Sequence, residues 1–112
     1  MKTERPWGWY DVINEGSSHK VKCIEVKPGL SLSLQRHMHR SEHWVVVEGT
    51  ALVEVEGNKD FVNVNEGSYV PICAIHRLSN PGCIPLKIIE VQCGSYLEED
   101  DIERFDDDFG RV

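Results

Sequence analysis

With 112 residues, 40% of them hydrophobic, the chain has the length of one domain with a single core, expected to run over residues 1–112. Its 19 acidic and 12 basic residues leave a formal net charge of -7, which argues against nucleic acid or an anionic membrane as partner. No run approaches the ~20 apolar residues of a membrane span, and Met1 to Trp7 shows no secretory leader.

The four cysteines, Cys23, Cys73, Cys83 and Cys93, have neither C-x-x-C nor zinc-finger spacing. They read as reduced thiols packed as small hydrophobes in a cytoplasmic protein. Trp7, Trp9 and Trp44 read as core or subunit-contact residues.

In chain order, Val21 to Val26 is the first clear strand, closed by Lys27-Pro28-Gly29. Leu30 to His39 alternates, with leucines at 30, 32 and 34 on one face and Ser31, Ser33, Gln35, His37 and His39 on the other. His43 to Val47 follows, opened by Glu42 and ended by Glu48-Gly49. Ala51 to Val55 leads into the hairpin signal Glu56-Gly57-Asn58. Phe61 to Val64, Ser68 to Pro71, His76 to Ser79 and Leu86 to Gln92 complete the strands. Only Glu99 to Phe105 has helical character, for one or two turns. It lies in an acidic run, residues 98–108, that holds eight of the 19 acidic residues. Short strands about ten residues apart with Gly or Pro between them describe an all-β sandwich or barrel.

Gln35 and His37 are two apart and share one side of a strand. Glu42 opens the next strand and His76 a later one, so a closed barrel can bring the four together. Two imidazoles, a carboxylate and an amide oxygen suit a divalent ion, Zn²⁺ first, with Mn²⁺, Co²⁺ or Mg²⁺ compatible. His43 has the opposite parity to Glu42 and is expected to face away. His19, beside a Gly-Ser turn, reads as solvated.

The spacing Gly29, Gln35, His37, Glu42, Gly49 resembles the first motif of the cupin superfamily, with Gln replacing the first His. Pro71 to Asn80, with His76, resembles the second, although Cys73 stands where glycine is usual and Gly67 lies two residues closer to Pro71 than usual. The resemblance narrows to type II phosphomannose isomerase domains. It is carried by Arg5-Pro6-Trp7-Gly8, Gln35 with His37, Arg40-Ser41-Glu42-His43-Trp44, His76-Arg77-Leu78, Ile89-Glu90-Val91-Gln92, and Gly94-Ser95-Tyr96-Leu97 followed by Glu99 to Ile102. Met38 and Glu98 stand where His and Gly are expected.

The resemblance implies a jelly-roll double-stranded β-helix with a short C-terminal helical turn. It also implies a zinc held by Gln35, His37, Glu42 and His76, and interconversion of mannose 6-phosphate and fructose 6-phosphate through an enediolate. His39, which shares the parity of His37, and Glu90, a carboxylate in an apolar strand, are the expected proton carriers. Arg40, Arg77 and Arg104 are the expected phosphate binders. The segment from Gly94 to Ile102 is expected to dock over the barrel mouth. A homodimer through the N-terminal strand is expected, as is a sugar-nucleotide pyrophosphorylase, fused in the family, as a separate subunit. The alternatives are a cupin that binds a sugar or effector without turnover, and a cupin oxygenase, against which Gln35 counts.

Overall fold

The computed structural model describes residues 1–111, which form eleven strands and no helix. Strands β1 (Lys2–Arg5), β2 (Gly8–Glu15), β3 (His19–Val26), β10 (Leu86–Gly94), β5 (Arg40–Glu48) and β8 (Gly67–Val70) make one antiparallel sheet in that spatial order. The other has the order β11 (Glu103–Asp106), β4 (Leu34–Arg36), β9 (His76–Ser79), β6 (Ala51–Val55) and β7 (Asn58–Val62). The chain crosses repeatedly between sheets, as a double-stranded β-helix requires, and the two inner faces meet over one core.

The inner face of the first sheet has two levels. Val26 and Ile24 of β3 lie beside Leu86 and Ile88 of β10, and Val46 of β5 continues the same apolar layer. One step further the inward positions turn polar on β3 and β10, and on β5 they do so after Trp44. Lys22 faces Glu90 in the register, Lys20 faces Gln92, and Glu42 and Arg40 occupy β5. The period of two thus stays intact while the chemistry changes along it. The apolar half anchors the barrel, and the polar half, at the other end, is a buried site.

Two turns show why the chain folds as its motifs suggest. Glu56 and Gly57 both have positive φ (49° and 82°), the signature of a two-residue hairpin turn between β6 and β7. Gly49 has φ 83°, and an added Cβ would stand 2.8 Å from the Pro85 carbonyl oxygen, so only glycine closes β5 there.

Three expectations change. Glu99 to Phe105 is not helical: residues 99–101 turn, and β11 pairs with β4. The acidic run places like charges three and four apart, which opposes a helix, while Asp101 and Glu103 find partners on the barrel. The polar strand Leu30 to His39 is shorter than its alternation, because the chain bends after Arg36. Finally, the cysteines are free as expected, but Cys73, Cys83 and Cys93 are exposed and only Cys23 is half-buried. Trp7 and Trp44 lie in the core, whereas Trp9 is half-buried, its indole donating to Glu25.

Cys73, in the slot where the motif usually has glycine, carries φ 67°. A side chain in this left-handed region costs about 1–2 kcal/mol. Cys73 is exposed and its Sγ approaches Met38 Sδ at 3.7 Å, so little is lost on truncation. Cys73→Gly should therefore raise the unfolding free energy by about 1 kcal/mol, as measured by urea denaturation. A loss of stability would contradict this account of the turn.

Candidate metal centre

Glu42 projects inward from β5, His76 opens β9, and His37 follows β4 by one residue, all at most 3% exposed. One ligand atom from each lies within 4.8 Å of the others. His76 Nε2 stands 3.6 Å from Glu42 Oε1, and His37 Nδ1 stands 3.6 Å from Glu42 Oε2. These gaps are too long for hydrogen bonds. They run to the two oxygens of one carboxylate, so Glu42 faces both imidazoles.

His76 Nδ1 donates to the Ala74 carbonyl oxygen at 2.9 Å, which leaves the Nε2 lone pair facing Glu42. This is the backbone orientation typical of a metal-binding imidazole. His37 Nδ1 is buried with no hydrogen-bond partner. Gln35 is paired with His76 across β4 and β9, and its amide NH₂ is spent on Ser33, so its carbonyl oxygen is the free end. Two imidazoles, a carboxylate and an amide oxygen brought together in the barrel interior fit a divalent ion.

The cation that these donors meet within the chain is Arg40. Its Nε donates to Glu42 Oε2 at 2.9 Å and its Nη2 to His37 Nε2 at 2.8 Å. Burial first, then the charges of Arg40 and His76, push the His37 pKa down to about 2; burial also lowers that of His76. Both imidazoles are therefore neutral; His76 turns its Nε2 lone pair towards Glu42, whereas the His37 lone pair is on Nε2 and accepts from Arg40, so a metal bound there would take the place of that contact.

The cavity beside this cluster has a volume of about 60 Å³ and is reached by Glu90, Arg40 and Arg104, but not by Arg77 or His39. Arg77 instead faces the β11 end, donating to Asp106. His39 departs from its expected face because it lies beyond the bend. Its side chain is 55% exposed, and the ring sits 2.9 Å from Asp101. His43 faces outward as its parity implied, stacked on Tyr69, and His19 pairs with Asn14 at the surface.

Glu90 is fully enclosed. Trp44 Nε1 donates to its Oε2 at 2.9 Å and Gln92 Nε2 to its Oε1 at 2.7 Å. Burial, then the Glu42 charge, raise its pKa to about 7, against the pull of Lys22 and Arg40. Sequence reasoning missed Lys20, Lys22, Gln92, Glu99 and Asp101 as neighbours of the site. Glu99 accepts from Lys22 and Arg40. Asp101 accepts from the Met38 and His39 amides.

The profile described as "Mannose-6-phosphate isomerase C-terminal" matches residues 1–107. The chain belongs to this family. It is 58% identical over 112 residues to the alginate biosynthesis protein AlgA of Pseudomonas putida, covering all of this chain and 23% of AlgA. It is 57% identical over 108 residues to the mannose-1-phosphate guanylyltransferase ManC of Salmonella typhimurium, covering 96% of this chain and 22% of ManC. The chain thus spans less than a quarter of these relatives. Among solved structures it superposes on an oxalate decarboxylase from Lactobacillus farciminis with TM-score 0.81 at 21% identity, over 94% of this chain and 33% of that one. It also superposes on a double-stranded β-helix protein from Klebsiella pneumoniae with TM-score 0.74 at 18% identity, over 85% and 76%. These two show the fold, a cupin.

The raised Glu90 pKa carries a sign. The folded chain holds a proton that the unfolded chain releases near pH 4.5, so this contribution is full below pH 4.5 and is lost as pH rises through about 7. Glu90→Gln cannot titrate. Its unfolding free energy relative to the parent should climb by about 3 kcal/mol between pH 4 and 8, as read by urea denaturation with chelator present. A pH-independent difference would contradict the assignment.

Proposed function

We propose that the chain is a metal-dependent sugar-phosphate isomerase that interconverts mannose 6-phosphate and fructose 6-phosphate in the cytoplasm. The observation that carries this reading is the fully buried Glu90, poised near neutrality, on the same cavity as Gln35, Glu42 and His76, the last two of which cluster with His37. The family description supports the substrate.

In this reading the four residues hold one divalent ion, Zn²⁺ foremost. When bound, it supplies Lewis-acid stabilisation to negative charge on the sugar oxygens. Glu90 takes the C2 proton and returns it to C1. A pKa of about 7 lets one carboxylate do both at neutral pH. Its hydrogen bonds from Trp44 and Gln92 fix the carboxyl plane, so the proton leaves and arrives at a defined place. Arg104, whose buried Nε has no partner, offers its guanidinium to the phosphate, and Arg40 faces the same cavity. His39 and Arg77 have no part in this scheme, because their side chains lie outside the cavity.

The test is conversion of mannose 6-phosphate by protein stripped with chelator and restored with Zn²⁺, Mn²⁺, Co²⁺ or Mg²⁺. Turnover should require metal. Glu90→Gln should lower kcat by about 100-fold or more, and His39→Ala should leave it within a few-fold. Folded, metal-loaded protein without turnover for any of the four ions would overturn the reading.

A further inference from the structure

Lys22 is an unusual resident of a barrel interior. Its side chain is 4% exposed, its Nζ lies 4.1 Å from the Tyr10 ring centroid, and its one ion pair among the described residues is with Glu99 Oε2 at 2.9 Å. Arg40, equally buried, reaches the same oxygen with Nη1 at 3.4 Å. Lys22 and Arg40 come from strands on either side of β10, so β3 and β5 aim two enclosed cations at one point.

What meets them there is not part of either sheet. Glu99 sits on the turn after β10, and its side chain is 48% exposed. The carboxylate reaches inward from a strap pinned by Lys20 Nζ on the Leu97 carbonyl and by Asp101 on the Met38 and His39 amides. Without Glu99 the cavity lining has five cations, Arg5, Lys22, Arg40, Arg104 and Arg111; Glu42 pairs with Arg40 and Asp107 with Arg111, which leaves Arg5, Lys22 and Arg104 with only the Glu90 carboxyl among them. Such an excess in a protein of net charge -7 calls for an anion from outside the barrel wall. Glu99 lines the same cavity and its carboxylate occupies the point where the two cations meet, so an anion that binds both of them must displace it.

We propose that Lys22 and Arg40 form a binding site for a phosphoryl group, which the Glu99 carboxylate fills until the ligand displaces it. The same guanidinium touches Glu99 through Nη1 and His37 through Nη2, so the anion site and the metal cluster lie one guanidinium width apart. The inference rests on the sugar-phosphate reading only for the origin of the phosphoryl group. The site recognises the anion itself.

The experiment is a calorimetric titration of inorganic phosphate at fixed ionic strength into the parent protein, Glu99→Gln and the double variant Lys22→Met/Glu99→Gln, with metal content measured and equalised. Glu99 is half-exposed on a turn, so its neutral replacement is compatible with folding, and Glu99→Ala provides a second readout. Glu99→Gln should bind phosphate about tenfold or more tightly than the parent, and the double variant should lose that gain. Equal affinity of parent and Glu99→Gln, or no binding by either, would overturn the proposal. Retention of the gain in the double variant would also overturn it, by placing phosphate on the metal or elsewhere. Mannose 6-phosphate turnover is assayed separately, and its absence would count against the isomerase reading while leaving the phosphate result to decide this one.

Discussion

The polar end of the barrel depends on one buried ion pair, Arg40 with Glu42. The guanidinium is 5% exposed and the carboxylate 2%. Neither could be enclosed alone, because an unpaired charge in such a place costs several kcal/mol. Burial opposes the charge on Arg40, and the carboxylates of Glu42, Glu90 and Glu99 outweigh it. Through its remaining nitrogens Arg40 then fixes His37 on one side and the C-terminal strap on the other. Positioning of the cluster and closure of the mouth are consequences of the same side chain.

The arrangement is affordable because the other half of the barrel is ordinary. Val26, Val46, Leu78, Leu86 and Ile88 are essentially fully buried and make a dry layer beneath the polar one. Each such side chain contributes about 1.5–3 kcal/mol when enclosed, which supports a rigid frame for groups that would destabilise it by themselves. Glu90 stands at the boundary, its neighbours Ile88 below and Gln92 above on the same face of β10. That position, between hydrocarbon and charge, is what lifts its pKa towards neutrality.

Much of this was legible in the residues. Short β-rich runs between turn signals give β6 and β9 to the residue, and the spacing of Gln35, His37, Glu42 and His76 anticipates that elements distant in sequence bring them together. Other features were hidden for physical reasons. Strands β1 and β2 lie at the margin of their sheet, where β2 runs from buried to exposed without alternating. In β3 the buried parity is that of Lys20, Lys22, Ile24 and Val26, and nothing local marks the two lysines as interior, because their partners come from distant segments. The position of His39 was extrapolated along a strand that bends before reaching it. Glu99 to Phe105 has a helical look in the sequence because the pairing of β11 with β4 is a tertiary fact that no local pattern announces.

The central claim is that Gln35, His37, Glu42 and His76 form a single interior metal site. Titration of Zn²⁺ into chelator-stripped protein, followed by calorimetry, tests it most directly, with His37→Ala and His76→Ala in parallel. The account predicts one ion per chain for the parent and an affinity lowered by about 100-fold or more in each variant. No binding by folded parent protein, or binding by both variants at parental affinity, would contradict it.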